Sequence, residues 1–387
     1  MRVFTGNNVP IKMWLDDIDD TAMGQAIDLA SLPFAFKHIA IMPDAHAGLG
    51  MPIGGVLATK GVVVPNAVGV DIGCGMCAVK TNINAMELSR STIEKIIKRI
   101  YQVIPVGFDH HNKPQDESLM PKGFNINGMY MIKNLYESAL HQLGTLGGGN
   151  HFIELQRAID GSLWIMMHSG SRNIGKQVAE HYGKVAKHYN KLWFSEVIPG
   201  LEFMPIETPY AKDYINEMDY CVKFAFANRR LMMERVCDII QSEVHNVEFE
   251  PMINIAHNYA EWENHFGHNV IVHRKGATRA YKGEIGIIPG SMGTRSYIVE
   301  GLGNPESFMS CSHGAGRVLG RKEAIKKLDL NEVVKFMDEK KIVHSIHDVR
   351  QLDEAPQAYK DIDIVMKNQA DLVRPIETLY PLAVVKS

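Results

Sequence analysis

The chain has 387 residues, 45% of them apolar, and a formal net charge of −3, so it can bury a large core without covalent staples and is no bulk binder of polyanions. Its five cysteines, odd in number and irregularly spaced, exclude a secreted disulfide framework and point to a reducing, cytoplasmic compartment. No run of about 18 apolar residues occurs and the N-terminus has no apolar signal core, so no contact with a membrane is expected.

Taken in chain order, residues 39–42 and 61–64 read as short buried strands bounded by Pro and Gly. Ile93, Ile97, Ile100 and Ile104 keep helical spacing and predict an amphipathic helix over 89–104. Residues 163–167 form an apolar strand ending at His168, followed by a helix over 174–193. A long helix is expected over 211–244, where Met218, Val222, Ala225, Met232, Val236 and Ile240 lie near one face; its methionines read as core packing. Strands follow at 270–272, 285–288 and 297–299. The mixture lacks a βαβ rhythm, which predicts a multi-layer α/β or α+β fold and neither a Rossmann sheet nor a TIM barrel. Length alone suggests two or three domains. The candidate site residues, however, spread from Asp71 to Lys386, so a single domain over 1–387 is expected.

Chemistry concentrates where polar ligand types sit among small residues. His313 lies in Ser310-Cys311-Ser312-His313-Gly314-Ala315-Gly316-Arg317, where little bulk surrounds the ring, the backbone can approach a phosphate, and Arg317 supplies a permanent cation. Asp71-Ile72-Gly73-Cys74-Gly75, Gly149-Asn150-His151-Phe152, His168-Ser169-Gly170-Ser171-Arg172 and Ala256-His257-Asn258 share this build. Together Asp71, Cys74, His151, His168 and His257 offer a carboxylate, a thiol and three imidazoles, a set suited to a borderline divalent ion; a thiolate can bridge two of them. Other histidines lack such surroundings. His181 and His188 fall in a helix, while His110, His111, His265 and His268 read as residues of polar loops without a ligand role. Residues 273–282 hold four permanent cations and no acid, which reads as a solvated surface loop or a phosphate contact.

In combination, the Asp-Ile-Gly-Cys-Gly-Met, Gly-Asn-His-Phe, His-Ser-Gly-Ser-Arg and Cys-Ser-His-Gly-Ala-Gly-Arg segments closely resemble the RtcB family of RNA ligases, over nearly the whole chain from Pro43-Asp44-Ala45-His46 to Lys386. Asn173 and Ser387 depart from the glycines usual in the family, at positions that are not expected ligands. The resemblance implies joining of RNA 3′-phosphate or 2′,3′-cyclic phosphate ends to 5′-hydroxyl ends with GTP and two Mn²⁺. It implies that Asp71, Cys74 and His151 hold one ion and Cys74, His168 and His257 the other, and that His313 is the nucleophile that accepts GMP. It also implies a nucleotide pocket drawn from Asn150, His151, Phe152, Ile153, Glu154, His257, Asn258, Pro289, Gly290, Ser291, Met292, Ser296, His313, Gly314, Ala315, Gly316 and Lys386. The segment 289–296 is not a P-loop, since Gly-x₄-Gly-Lys-Ser/Thr is absent. Two other readings stay open: a two-metal phosphoesterase acting on RNA 3′ ends, which gives His313 no role, and a nucleotide-binding accessory protein. The orienting partner of His313, the physiological RNA, and the need for an activating protein partner are not legible here.

Overall fold

The computed structural model describes residues 1–387. Its strands begin with β1 (Arg2–Phe4), β2 (Ile11–Met13), β3 (Ala35–His46), β4 (Ile53–Thr59), β5 (Val62–Val63) and β6 (Gly75–Asn84). There follow β7 (Phe152–Ala158), β8 (Ser162–Ser169), β9 (Met204–Pro205), β10 (Ile253–Ala256), β11 (Asn258–His265) and β12 (His268–Lys275). The last are β13 (Ala277–Arg279), β14 (Ile285–Ile288), β15 (Ser296–Gly301), β16 (Ser310–Ser312) and β17 (Val373–Val385). The helices are α1 (Asp20–Ala30), α2 (Arg90–Val103), α3 (Tyr130–Gln142), α4 (Arg172–Leu192), α5 (Pro209–Glu243), α6 (Arg321–Lys327), α7 (Leu330–Glu339) and α8 (Ile362–Asn368).

Two large sheets carry the molecule. One has the order β10-β6-β8-β7-β17-β15-β14 and the other β1-β2-β3-β4-β12-β11. All pairs in the first are antiparallel, and in the second only β2 and β3 run parallel. That topology excludes a doubly wound or barrel architecture and gives the expected multi-layer α/β fold.

The period-2 side-chain rule decides what each sheet face meets. Cys77, Val79, Ile153, Leu155, Ile165 and Met167 point to one face of the seven-stranded sheet and pack with Ile93, Ile96, Ile97 and Ile100 of α2 and Val236 and Ile240 of α5. Their neighbours Met76, Ala78, Phe152, Trp164 and Met166 point to the other, where Met292, Met337 and Ile342 cover them. In the six-stranded sheet Ile39, Ile41 and Leu57 meet Ala26 and Leu29 of α1, and Ala40, Met42, Val56 and Ala58 meet Phe308, Ile362 and Met366.

Local signals account for the helix ends. Ser89 caps α2 by accepting from the Thr92 amide, and Thr208 caps the 35-residue α5 with Pro209 in its first turn. The expected elements at 163–167, 174–193, 211–244 and 285–288 all occur, within one or two residues at most of their ends. Residues 39–42 are the middle of a much longer strand, whereas 61–64 contribute only the two residues of β5.

The basic segment 273–282 is for the most part not a surface loop: it runs through β12 and β13, and only its end, with exposed Lys282, turns at the surface. His273, Arg274, Lys275 and Thr278 are buried in β12 and β13. Arg274 is fully enclosed and forks onto Glu263, with Nη2 3.1 Å from Oε2, while Tyr281 donates to the same oxygen at 2.9 Å. Arg279 pairs with Glu284 and Glu261. The acids that neutralise Arg274 and Arg279 lie outside the segment, so its own composition hid them. The reading of His265 as a loop residue also fails: it ends β11, is buried, and sits 2.7 Å from Glu263.

Burial opposes ionisation of Glu263, but Arg274, His265 and Tyr281 outweigh it and hold its carboxyl down at about 2. The folded pKa lies below the unfolded one, so this stabilisation is present above the ordinary carboxylate range and is lost as pH falls towards about 2. Glu263→Ala would strand the Arg274 guanidinium in the core. Urea unfolding at neutral pH should show a loss of about 3–5 kcal/mol, and a loss below about 1 kcal/mol would mean that the pair is solvated.

Candidate functional site

Strand register brings the ligand-type residues together. Cys74 precedes the first residue of β6, His168 lies near the end of β8, His151 precedes β7 and His257 follows β10. Met76 pairs with His168, Phe152 also pairs with His168, and Gly75 pairs with Ala256. All four side chains therefore emerge at one end of the seven-stranded sheet. Gly75 is required there, since a Cβ on it would lie 2.0 Å from the Ile255 carbonyl oxygen.

The donor atoms crowd. Cys74 Sγ is 3.1 Å from His168 Nε2 and 3.5 Å from His151 Nε2, His168 Nε2 is 3.2 Å from His257 Nε2, and Asp71 Oδ2 is 3.3 Å from His151 Nε2. The ligand atoms of Cys74, His151 and His168 all lie within 4.8 Å of one another, and the three residues are buried. His151 Nδ1 donates to the Leu146 carbonyl at 2.9 Å and His168 Nδ1 to that of Asn150 at 3.0 Å, which leaves both Nε2 lone pairs facing the cluster. Burial, then the neighbouring His151, pushes His168 down to about 3; burial, then His313, pushes His257 well below the usual imidazole range. Burial opposes the charge on Asp71, but His151, Cys74 and His168 pull its carboxyl down to about 2. Burial and Asp71 raise the Cys74 thiol. Imidazoles, a carboxylate and a thiol packed this closely have too few protons to satisfy one another. A divalent cation would satisfy them, and the donor set fits one or two.

Arg229 braces the cluster from behind. It is fully buried and its Nη1 donates to the Gly73 and Ser169 carbonyls at 3.0 and 2.9 Å. Asn258 ties two of the loops, donating to the Asp71 carbonyl at 3.0 Å and accepting from the Gly276 amide at 2.7 Å.

His313 follows β16, and its ring centroid is 4.8 Å from that of His257. Its Nδ1 donates to Asp44 Oδ2 at 2.6 Å, and the same oxygen accepts from the His313 and Gly314 amides at 3.0 and 3.2 Å. Asp44 is fully buried near the end of β3, and Lys360 Nζ donates to the carbonyls on either side of it, Pro43 and Ala45. This grip fixes the Nδ1–H tautomer. His313 Nε2 makes no hydrogen bond within the protein and opens on a cavity of about 470 Å³. Gly316 permits the approach, with φ 75° and a notional Cβ only 2.1 Å from the Asp44 carbonyl oxygen. Asp44 is the functional residue that sequence reasoning missed. It lies in the quoted Pro-Asp-Ala-His segment, but nothing local pairs it with a histidine 269 positions away.

Most expected pocket residues line that cavity: Asn150, Phe152, Glu154, Pro289, Gly290, Ser291, Met292, His313, Gly314, Ala315, Gly316 and Lys386. Its volume suits a small ligand such as a nucleotide. Ile153 does not line it, being turned into the opposite core. Ser296 is buried behind the wall, accepting from the Gly290 amide at 3.1 Å. His151, His257 and Asn258 belong to the cluster and its loops. Arg317, the permanent cation expected near His313, lines the cavity and donates to Glu354 at 3.0 Å.

A family model described as tRNA-splicing ligase RtcB matches residues 25–125 and 126–387. The chain belongs to the RtcB family. Among similar proteins, the RNA-splicing ligase RtcB of Escherichia coli is 40% identical, covering 100% of this chain and 99% of that protein. The tRNA-splicing ligase RtcB of Nanoarchaeum equitans is 30% identical over 98% of this chain and 95% of its own length, and that of Archaeoglobus fulgidus 31% over 95% and 92%. In this RtcB chain no helix is long and apolar enough to cross a membrane.

If the cluster holds metal, RtcB stripped with a chelator should melt lower than the same protein given Mn²⁺, Co²⁺ or Zn²⁺ at about a 100-fold excess over its Kd, by about 5 °C. Identical melting with and without every ion would make the cluster a packed one only.

Proposed function

We propose that the chain is a GTP-dependent RNA ligase that joins RNA 3′-phosphate or 2′,3′-cyclic phosphate ends to 5′-hydroxyl ends, serving tRNA splicing, RNA repair or both. The observation that carries this reading is the His313 ring: Nδ1 anchored on buried Asp44, Nε2 free, facing a nucleotide-sized cavity on one side and the ligand cluster on the other. The names of the RtcB relatives, RNA-splicing and tRNA-splicing ligases, support it.

In this reading Asp71, Cys74 and His151 would hold one Mn²⁺, and Cys74, His168 and His257 the second. Bound there, the two cations supply neutralisation of phosphate charge and alignment of attacking and leaving oxygens. His313 Nε2 attacks the α-phosphorus of GTP; an N–P bond forms, and the bond to the departing pyrophosphate breaks. Asp44 accepts the Nδ1–H bond throughout and stabilises the positive charge that the ring gains. An RNA 3′-phosphate oxygen then displaces His313 from phosphorus and carries GMP away as a diphosphate-linked cap. A 5′-hydroxyl attacks the RNA phosphorus, GMP leaves, and the strand is sealed. A cyclic end is first opened by water to the 3′-phosphate.

Guanine selection falls to Glu154. Burial, against the milder pull of Gln156 and Lys386, lifts its carboxyl to about 7. Donation from guanine N1–H and the 2-amino group would hold it ionised, and adenine offers neither donor there. Lys386, whose ammonium reaches the Gly149 carbonyl at 3.2 Å and Glu354 at 3.3 Å, can donate to an acceptor on the guanine edge. The five free thiols suit a cytoplasmic location. The phosphoesterase alternative uses the cluster but leaves the His313–Asp44 pair without work.

Incubation with α-labelled GTP and Mn²⁺ should yield an acid-labile protein–GMP adduct, and His313→Ala should abolish it while keeping fold and metal. Adduct persisting in that variant would move the nucleophile elsewhere. Four short RNAs with each combination of ends test the polarity of sealing. Product is expected only from a 3′-phosphate (or cyclic phosphate) paired with a 5′-hydroxyl, because the phosphate to be activated is on the 3′ end and the attacking oxygen on the 5′ end. Sealing of a 3′-hydroxyl to a 5′-phosphate would overturn the mechanism even with His313 guanylylated.

A further inference from the structure

With Arg274 and Arg279 of residues 273–282 taken up in ion pairs, a second concentration of positive charge on this near-neutral chain is the face of α4. The helix holds five permanent cations, Arg172, Lys176, Lys184, Lys187 and Lys191, against one carboxylate, Glu180. At 100° per residue the four lysines fall within an arc of about 80°, and from Lys176 to Lys191 they extend about 22 Å along the axis. All four are exposed. Lys184, Lys187 and Lys191 form no ion pair, and Lys176 has only Glu180 at 3.8 Å. Helix stability does not call for this pattern: Ile174, Val178, Tyr182 and Ala186 already anchor the opposite face in the core, and of the four lysines only Lys191, in the last turn, lies where the helix dipole favours a cation.

A second observation gives the stripe a destination. The start of α4 opens on a cavity of about 1040 Å³ that also reaches Asp71 and His151 of the ligand cluster. On its wall Phe108 is 99% exposed. The preceding residue is not loose: the Gly107 carbonyl accepts from Arg172 Nη2 at 3.1 Å, and its amide donates to Gly147 at 2.9 Å. An aromatic ring held on a tethered loop, uncovered by any apolar neighbour, beside a cationic track is the arrangement that binds a single strand by backbone charge and base stacking.

We propose that single-stranded RNA runs along the lysine face of α4, its phosphates on Lys176, Lys184, Lys187 and Lys191, and turns into the cavity with a base stacked on Phe108. The inference rests on the RNA-ligase reading and adds to it where the strand lies. A duplex, whose bases are already stacked on one another, offers nothing to Phe108.

The test is equilibrium binding of a short 3′-phosphate-ended single strand to the full chain, without GTP, across a range of salt. K184Q/K187Q/K191Q should bind more weakly, with the slope of log K against log salt shallower by about 2, at about 0.7 for each phosphate no longer neutralised. F108A should lose about tenfold in affinity for the single strand with the slope unchanged, and should lose nothing for a blunt duplex. K98Q/K335Q, on exposed lysines of α2 and α7, should bind as the unaltered chain does, and equal melting temperatures confirm that every variant is folded. A wild-type slope in the triple variant would overturn the track, and wild-type affinity in F108A would overturn the stacking site. The readout involves no turnover, so failure to form a GMP adduct would sink the ligase reading while leaving this measurement decisive for the RNA path.

Discussion

The close convergence of Cys74, His151, His168 and His257 is the constraint to which the rest of the architecture is subordinate. Atoms that repel one another or compete for protons stand 3.1–3.5 Å apart in a buried place, and something rigid must hold them there. The seven-stranded sheet does so through register. Slipping β6 by one residue against β8 would turn its side chains to the opposite face and empty the cluster of its sulfur. The apolar packing on both sheet faces therefore serves position as much as stability. Arg229, buried among the carbonyls of Gly73 and Ser169, is the kind of costly interior charge that hydrogen bonds must offset, and it fixes the turns from which two of the ligands project.

The second constraint is that His313 comes from a different part of the fold. His313 stands on the short β13–β16 ladder and is held by Asp44 of β3, a strand of the six-stranded sheet. Its neighbour His257 belongs to the seven-stranded sheet side. The ligand-type cluster and His313 thus meet on the seam between the two sheets, where a cavity can exist without opening either core. Gly316 and Gly75 mark the places where backbones press too closely for a side chain. Gly75 meets Ile255 of the neighbouring strand β10 in its own sheet, and Gly316 meets Asp44 of the six-stranded sheet, so both are steric consequences of gathering these side chains at one site.

How much of this was legible follows from how local each determinant is. Helices with an unbroken apolar period, such as α2 and α5, and strands flanked by turn residues, such as β14, are encoded within a dozen residues and were readable. The ligand types were readable because glycine-rich breaks around histidine and cysteine are unusual for a core. The Asp44–His313 pair was not, since its two halves lie on separate sheets. The basic segment misled for the same reason: Arg274 finds Glu263 across the β11–β12 hairpin, so its charge is cancelled by a residue outside the window in which it looked unopposed. The lysines of α4 escape a linear reading because apolar residues space them apart, and only the helix wheel collects them.

The cavity beside His313 shows one further economy. Arg317, Arg321, Lys386 and the Tyr359 hydroxyl all converge on Glu354, a carboxylate that is 3% exposed. Burial works against its charge, yet Lys386, Tyr359, Arg317 and Arg321 together keep it below the usual carboxylate range. Three cations around one anion leave net positive charge beside His313, while each long side chain is already held in one geometry. A phosphate entering such a site meets donors whose conformational entropy was lost on folding rather than on binding. Removing the Glu354 carboxylate would increase the positive charge and still weaken the site, because flexible cations would then have to be ordered by the ligand itself. Preorganisation, more than charge, is what a single buried glutamate contributes here.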